Sequence, residues 1–363
     1  MDVTASPRPL SLQSLHPGNF AFVMATGILA VALDLHGWRV LAQVLEGIAI
    51  GAWLLLLALS MLRVLRYRAA VGIDLRNPRM VFAYFTLVAA TSVVGLLLLN
   101  RGHQQLALAC WALAFLAWAS LLYLAFAVLT FLSHEHNVNI VHGGWLITIV
   151  GTQSLVLLGG RLAPQLGIWT SAMFVEVHLL WGLGLILYGI FVTLFCYRIF
   201  FLSLKPQDVS PLLWVVMGAA AISTNAGTTL ITQDPQLPFL LAQRPFIDGI
   251  TLMIWGWATW WVPLLAMFFI WKHGVHRLPL HYEPVQWSFV FPLGMYAVAS
   301  SRLGLAADFP PLQHISHLML VAALLAWTAV LTALLRRTLG QIRATPAQHP
   351  IVAAESAPQG KER

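Results

Sequence analysis

Residues 286–304 read QWSFVFPLGMYAVASSRLG, a stretch that is apolar enough to lie in a lipid bilayer. It also holds features that a plain membrane anchor does not need, namely a Phe-Pro step at Phe291-Pro292, a glycine at Gly294 and a polar run at residues 300–302. Proline removes a backbone donor and kinks a helix, whereas glycine lets two helices approach closely. The stretch therefore predicts a membrane helix that is buried among other helices.

The composition of the whole chain predicts an integral membrane protein. The chain has 363 residues, of which 59% are hydrophobic and 9% are charged, whereas soluble domains carry roughly 25% charged residues. A soluble fold could not bury this much apolar surface. The two cysteines, Cys110 and Cys196, lie inside apolar runs, which is typical of small core residues and offers no disulfide framework.

Ten segments have the ~20 mostly apolar residues that one helical crossing of a bilayer requires. We number them span one to span ten, at residues 18–35, 40–62, 80–99, 105–132, 142–160, 172–201, 211–231, 246–271, 285–306 and 312–335. The sequence thus predicts a polar N-terminal segment at 1–17, a ten-helix membrane domain at 18–337 and a disordered cytoplasmic tail at 338–363.

Lysine and arginine are distributed unevenly between the two sets of loops. The loops after even-numbered spans and the two termini hold fifteen of them, and the loops after odd-numbered spans hold five. Because cytoplasmic loops are enriched in these residues, both termini are predicted to be cytoplasmic in a multi-pass protein of the inner (plasma) membrane. The basic residues lie in short loops rather than in one patch, so no nucleic acid partner is expected.

The spans fall into two classes. Odd-numbered spans are rich in small and hydroxyl residues, as in MATGILA of span one and MGAAAISTNAGTTL of span seven, whereas even-numbered spans are bulkier, as in WLLLLALSMLRVL of span two. Small residues favour helix–helix contact over lipid contact. The alternation predicts an all-α membrane fold of five helical hairpins, with the odd spans in an inner pore ring and the even spans in an outer ring. The fifteen tryptophans are predicted mainly as lipid-facing and interfacial anchors.

The polar residues of the odd spans are candidates for the lining of a pore. They are Thr26, Thr91, Ser92, Thr152, Thr224, Asn225, Thr228, Ser300 and Ser301. No odd span has a carboxylate at mid-span, whereas cation pathways normally present Asp or Glu, so this lining favours an anion. The alternative for any single Ser or Thr is a hydrogen bond to a carbonyl of its own helix.

Three stretches resemble a known family. HPGNFAFVMATGILAVAL at 16–33, TWWVPLLAMFFIWKH at 259–273 and WSFVFPLGMYAVAS at 287–300 resemble the tellurite-resistance/C4-dicarboxylate transporter family, which includes malic-acid permeases, sulfite efflux proteins and the slow-type anion channels of plants. The resemblance covers residues 16–337. It implies ten helices in five hairpins around a central pore, lined by the odd helices, in a homotrimer that transports small anions across the lipid bilayer without a cofactor.

The resemblance also implies a phenylalanine on span nine that plugs the pore. Its position precedes a proline or glycine, which here is Phe291 before Pro292, with Phe289 as the alternative. Pro292, Gly294 and Gly27 are the expected sites of kinks and close packing. An aromatic ring in a narrow pore leaves no space for a hydrated ion; the alternative for Phe291 is core packing. Arg302 is either an anion attractor at the pore mouth or a snorkelling anchor.

Three functions follow as hypotheses. The first is an anion channel or uniporter, with C4-dicarboxylates or inorganic anions as candidate substrates. The second is a proton-coupled C4-dicarboxylate symporter or a tellurite- or sulfite-related exporter on the same scaffold; coupling needs a titratable group in the path. The third, an enzyme, needs a cluster of His, Asp, Glu or Cys at one depth, which the spans do not offer. The run HEHNVNIVH at 134–142 lacks the spacing of a zinc helix, so no metal site is expected.

Overall fold

The computed structural model describes residues 11–132, 141–279 and 282–344. In these ranges ten helices are long and apolar enough to cross a membrane, which confirms the ten predicted spans. Their bounds are Pro17–Leu35, Arg39–Arg66, Val81–Asn100, Gln104–Leu132, Gly143–Gln165, Gly167–Phe201, Pro211–Thr232, Arg244–Val275, Pro284–Ala306 and Pro311–Gly340. Two shorter helices, Arg68–Arg76 and Pro238–Leu241, lie in the connections.

All five odd spans begin with a 3₁₀ turn that continues into an α-helix. The turns are Pro17–Asn19, Val81–Tyr84, Gly143–Leu146, Pro211–Trp214 and Pro284–Gln286. Three of them open on proline, whose fixed φ suits the first position of a helix and whose missing N–H would lack a partner there in any case. The five turns contact one another in a closed series, so the amino ends of the odd spans meet at one end of the bundle.

The odd and even spans differ strongly in burial. Between 72% and 94% of the residues in the most apolar window of each odd span are buried, against 11% to 39% for the even spans. Apolar side chains of the even spans are therefore left on the outside of the bundle, where a bilayer would cover them.

Contacts between the helices follow a regular order. Each odd span packs against the even span that follows it, and the odd spans also contact one another in the order one, three, five, seven, nine and back to one. This is the order that five helical hairpins in two concentric layers would produce.

A glycine lies at each contact between neighbouring odd spans. They are Gly27 against Val93, Gly95 against Leu158, Gly160 against Thr229, Gly218 against Pro292, and Gly294 against Ile28, and a Cβ built on any of them would lie 2.5 to 3.1 Å from the neighbour. Real Cβ atoms need more space than this, so the odd spans approach more closely than larger residues at these positions would allow. Gly27 and Gly294, which the sequence analysis singles out, are two of these five glycines.

Tryptophan indoles join every even span to the next odd span, and twice at spans four and five, where Trp111 also donates to the Leu155 carbonyl at 3.1 Å. Each N–H donates to an oxygen of the next odd span: Trp53 to Thr91 at 3.0 Å, Trp118 to Thr152 at 2.8 Å, Trp181 to the Ser223 carbonyl at 3.2 Å, Trp255 to Ser300 at 3.0 Å and Trp327 to Thr26 at 3.0 Å. The last bond links span ten to span one. These indoles thus bond to protein rather than serve as lipid anchors, since an indole N–H has no acceptor among lipid tails.

The ends of the chain differ in part from the sequence-based expectation. The helix of span ten runs to Ala344, so residues 338–344, which the sequence assigns to a disordered tail, are helical. Residues 1–10 and 345–363 of the two predicted terminal segments lie outside the described residues.

Candidate functional site

Span nine is held between span seven and span one by two close contacts on either side of Phe291. Pro292 packs on Gly218, where a Cβ on the glycine would lie 2.8 Å from the proline Cγ, and Gly294 packs on Ile28, where the Cβ would lie 3.1 Å away. Successive helix residues are rotated by about 100°. Phe291 therefore lies on the arc of the helix between the face that meets span seven and the face that meets span one.

A third contact decides which way this arc faces. Ser300 accepts the indole N–H of Trp255 from span eight, in the outer layer, at 3.0 Å. Phe291 precedes Ser300 by nine residues, which is about two and a half turns and so the opposite side of the helix. The Phe291 side chain accordingly faces the axis around which the odd spans are arranged.

Phe289 occupies the other side of span nine. Its ring makes an edge contact with Trp214 at 4.6 Å between centroids and stacks on Phe269 of span eight at 6.4 Å. It also lines a groove of about 330 Å³ between spans eight and ten on the outside of the bundle. Of the two positions proposed for a gate, only Phe291 faces the axis.

The axis is closed at the level of Phe291. Its side chain is 2% exposed, and Met295 and Val298, which lie one and two turns further along the same face, are 0% exposed. A water-filled passage would leave these side chains accessible to solvent. In this conformation an apolar constriction therefore occupies the middle of the bundle.

A cavity opens at the carboxyl ends of the odd spans. Its volume is about 650 Å³. All five odd spans contribute to its wall, through Val31, Asp34 and Leu35; Leu99 and Asn100; Arg161; Thr228, Thr229 and Thr232; and Arg302, Leu305 and Ala306. We call it the arginine cavity. Arg302 follows Phe291 by eleven residues, so the cavity begins about 16 Å along span nine from the level of Phe291.

The register of the helices explains which residues reach this cavity. Leu35, Asn100, Arg161 and Thr232 line it, and each follows by nine residues the position at which its span receives a tryptophan N–H. Nine residues again correspond to the opposite side of the helix. The outer contacts and the cavity thus lie on opposite faces of the same spans.

Two arginines give the arginine cavity its charge. The Arg302 guanidinium donates to the Asn225 side-chain oxygen at 3.3 Å, and Arg161 lies near enough for the two cations to repel each other. Asp34 is an exposed residue of the same wall. The sequence offers Arg302 as either an anion attractor at a pore mouth or a snorkelling anchor, and it counts Arg161 only among the five loop charges. The signal that could have found Arg161 is its position at the same end of an odd span.

Four of the predicted lining residues make contacts between the two helix layers. The hydroxyls of Thr26, Thr91, Thr152 and Ser300 accept tryptophan N–H groups. They therefore lie on the side of their spans that is turned away from the axis. The sequence pattern that confines hydroxyls to odd spans marks, at these positions, the contact with the outer layer.

The other predicted lining residues have mixed surroundings. Ser301 donates to the Gln313 side-chain oxygen of span ten at 3.0 Å, and Thr224 donates to the carbonyl of its own helix four residues back at 3.0 Å. Asn225 is 1% exposed and bonds to Arg302, while Thr228 lines the arginine cavity. The buried Ser92 hydroxyl has no hydrogen-bond partner among the described residues.

A partly buried polar cluster holds the opposite, amino end of span one. The Nδ1 atom of His16 accepts the backbone N–H of Gly18 at 2.9 Å, which caps the first turn. Nearby, buried Arg63 forms an ion pair with Asp74 at 2.7 Å and donates to the Gln13 carbonyl at 3.1 Å. Burial lowers the pKa of His16; Asp74 opposes that change and Arg63 adds to it.

The lowered pKa of His16 predicts a loss of stability in acid. Below about pH 6.5 the unfolded chain binds a proton that the folded chain does not, so stability falls as pH falls through this range. His16→Asn keeps an acceptor for the cap and does not titrate. The variant is expected to lose less stability than wild type between about pH 7.5 and pH 5. Thermal unfolding in detergent measures this, and parallel curves for the two proteins would contradict it.

Within residues 11–132, 141–279 and 282–344, no group of three or more His, Cys, Asp or Glu side chains could hold a metal ion. Most of the histidine-rich run at 134–142 lies outside the described residues. His142, which is described, caps span five by accepting the Gly144 N–H at 3.0 Å.

A sequence model of the family described as voltage-dependent anion channel matches residues 14–335. The match includes all ten spans except the last few residues of span ten. It therefore also includes both ends of the bundle, the axis-facing Phe291 and the arginine cavity.

Several proteins are similar in sequence. An uncharacterized membrane protein of Mycobacterium tuberculosis is 38% identical over 159 residues, which is 44% of this chain and 80% of that protein. An uncharacterized transporter of Methanocaldococcus jannaschii is 28% identical over 304 residues, covering 80% of this chain and 84% of that protein. A sulfite efflux pump of Arthroderma benhamiae is 21% identical over 345 residues, covering 88% and 90%.

Proposed function

This chain belongs to the voltage-dependent anion channel family, and from that membership we propose that it passes small anions along the axis of its odd spans, through a path that Phe291 closes. The observation that carries the proposal is the placement of Phe291. Its ring faces the axis, it is 2% exposed, and it lies between two close helix contacts. An apolar ring offers no dipole to replace the hydration shell of an ion, so a small anion cannot pass while the ring stays there.

The proposed opening movement is a rotation of the Phe291 side chain or a small shift of span nine. Pro292 follows the ring directly and removes one backbone hydrogen bond from the helix. Its ring packs on Gly218, so a displacement of span seven would be transmitted to the residue next to the gate. The kink that the sequence predicts at Pro292 thus has a contact through which a neighbouring helix can act on it.

Charge supports an anion as the transported species. Arg161 and Arg302 line the arginine cavity together with one carboxylate, that of Asp34. The residues on the axis-facing side of span nine between this cavity and the gate, Met295 and Val298, are apolar. A cation would meet two guanidinium groups at the wide end of the path, whereas an anion is attracted there.

We further propose that both termini are cytoplasmic, as the arginine and lysine distribution indicates, and that the protein resides in the inner (plasma) membrane. The arginine cavity would then open to the non-cytoplasmic side. The homotrimer that the family resemblance implies stays a prediction. Inorganic anions and C4-dicarboxylates are both candidate substrates; the likeness to a sulfite efflux pump adds sulfite-type anions to the first class.

A proton-coupled symporter is the second candidate, and the axis gives it less support. Coupling requires a group that binds and releases a proton within the path. Among the described residues that face the axis on span nine, from Phe291 to Val298, none is titratable. Asp34 lies at the wide mouth, where solvent reaches it, and not between the mouth and the gate.

The proposed function predicts anion selectivity. In planar bilayers that contain the purified protein and a gradient of potassium chloride, the reversal potential is expected to lie close to the equilibrium potential of chloride. Empty bilayers serve as the control. A reversal potential near that of potassium would contradict an anion path.

A further inference from the structure

We propose that Arg161 and Arg302 together form a binding site for a small oxyanion that carries two negatively charged groups. This inference rests on the proposed function, because the site lies at the wide end of the same path and selects the class of anion that enters it. Neither the sequence pattern nor the likeness to other proteins pairs these two residues.

The first argument is the imbalance of charge in the arginine cavity. Two guanidinium groups from different spans face one space of about 650 Å³ and repel each other. Among the residues that the structure describes, neither arginine takes part in an ion pair; the two ion pairs found there join Arg63 to Asp74 and Arg101 to Glu46. Two nearby cations that both lack an ion-pair partner among the described residues are unfavourable in a partly buried site, and a bound dianion would relieve that repulsion.

The second argument is the geometry of the donors. A guanidinium offers a planar fork of N–H groups that matches the two oxygens of a carboxylate or a similar oxyanion, whereas a halide can accept these bonds only as a point charge. Arg302 donates one hydrogen bond, to the neutral side-chain oxygen of Asn225 at 3.3 Å. Arg161 donates no hydrogen bond within the described part of the chain. Most of the donors of both groups are therefore free to bind a ligand.

The third argument concerns the rest of the wall. The hydroxyls of Thr228 and Thr229 donate to carbonyls of their own helix. Their protons are therefore already used, and the arginines are left as the donors to a bound anion. Among the described residues of the wall, Asp34, at the exposed end of span one, is the one carboxylate. Its negative charge would weaken the binding of an anion. Removal of this charge should therefore have the opposite effect on affinity to removal of either arginine.

Binding can be measured without transport. Malonate, acetate and chloride are added separately to the purified protein, and the rise in unfolding temperature reports the affinity of each. Malonate is expected to bind most tightly and chloride most weakly. Arg161→Gln should lower the affinity for malonate about tenfold or more, as the loss of a charged hydrogen bond predicts. Asp34→Asn should raise that affinity.

Arg101→Gln is the matched control, since Arg101 lies at the same end of the bundle, pairs with Glu46 at 2.7 Å and does not line the cavity. It should leave the malonate affinity unchanged. Because Arg302 bonds to buried Asn225, Arg302→Lys is used beside Arg302→Gln; lysine keeps the charge and loses the fork, so it should reduce the preference for malonate over chloride. Equal malonate affinities in wild type, Arg161→Gln and Arg302→Lys would overturn the site.

Flux in proteoliposomes separates this inference from the proposed function. If chloride flux is present and malonate inhibits it equally in wild type and Arg161→Gln, the paired site is wrong while the anion path stands. If malonate binds through the two arginines and no anion flux occurs, the site stands and the proposed function is wrong.

Discussion

Replacing Phe291 with alanine is expected to raise anion conductance at least about tenfold, which corresponds to about 1.4 kcal/mol of barrier. The ring is 2% exposed and faces the axis, so its removal opens space at the point where we propose that the ring closes the path. A partly hydrated anion can then enter the space that the ring had filled. Single-channel recording in planar bilayers, or chloride efflux from proteoliposomes, measures the increase.

The size of the side chain at position 291 should set the size of the effect. Phe291→Leu keeps apolar bulk and is expected to conduct less than Phe291→Ala, and Phe291→Trp should conduct no more than wild type. Truncation of a buried phenylalanine also costs about 3–5 kcal/mol of stability, so each variant is first compared with wild type by thermal unfolding. A series in which conductance follows stability rather than side-chain size would contradict a gate.

The second large effect concerns Gly143, at the first turn of span five. A Cβ on this glycine would lie 2.0 Å from the Leu212 carbonyl oxygen and 2.6 Å from the carbonyl carbon, in the turn that begins span seven. These are backbone atoms of a turn that is itself packed in the closed series, so no flexible side chain can move aside. Gly143→Ala is expected to destabilise the protein by about 3 kcal/mol, the upper end of what overpacking usually costs.

Gly189→Ala is the matched control for this prediction. Gly189 lies on the exposed side of span six, and a Cβ there would meet nothing within 4 Å. Alanine should stabilise that helix by up to about 1 kcal/mol. Thermal unfolding in detergent compares the two variants, and a Gly143→Ala protein as stable as Gly189→Ala would show that the amino ends of the odd spans are not closely packed.

The ten spans could be predicted from the sequence because apolar length alone defines a membrane helix. The composition of the odd spans also predicted their burial, since small residues permit close contact. The nature of span nine was readable for the same reason: Pro292 and Gly294 are unusual in a helix that only faces lipid, and both lie at contacts with neighbouring odd spans.

The orientation of individual side chains could not be predicted. The odd spans are apolar or small on all sides, so no hydrophobic stripe shows which face of the helix meets the axis. Thr152, for example, looks like a lining residue until the indole of Trp118 is found bonded to it at 2.8 Å. That partner lies 34 residues earlier in the chain, and no spacing rule connects the two.

Arg161 escaped prediction for a related reason. Sequence reasoning counts arginines at span ends as signals of orientation, and this one falls at the expected place. Its pairing with Arg302 depends on the closed order of the odd spans, in which the ends of spans five and nine reach one cavity. Residues 161 and 302 are far apart in the chain, so only the three-dimensional arrangement brings them together.

The most direct test of the central claim compares two phenylalanines on opposite sides of one helix. Phe291→Ala and Phe289→Ala remove the same ring from the same span. Only Phe291 faces the axis, while Phe289 packs on Trp214 at the start of span seven and on Phe269 of span eight. Anion conductance measured in the same bilayers is expected to rise at least about tenfold for Phe291→Ala and to stay at the wild-type level for Phe289→Ala, whose ring is turned away from the axis. Equal conductance in the two variants, or a larger rise for Phe289→Ala, would contradict the assignment of the gate to Phe291.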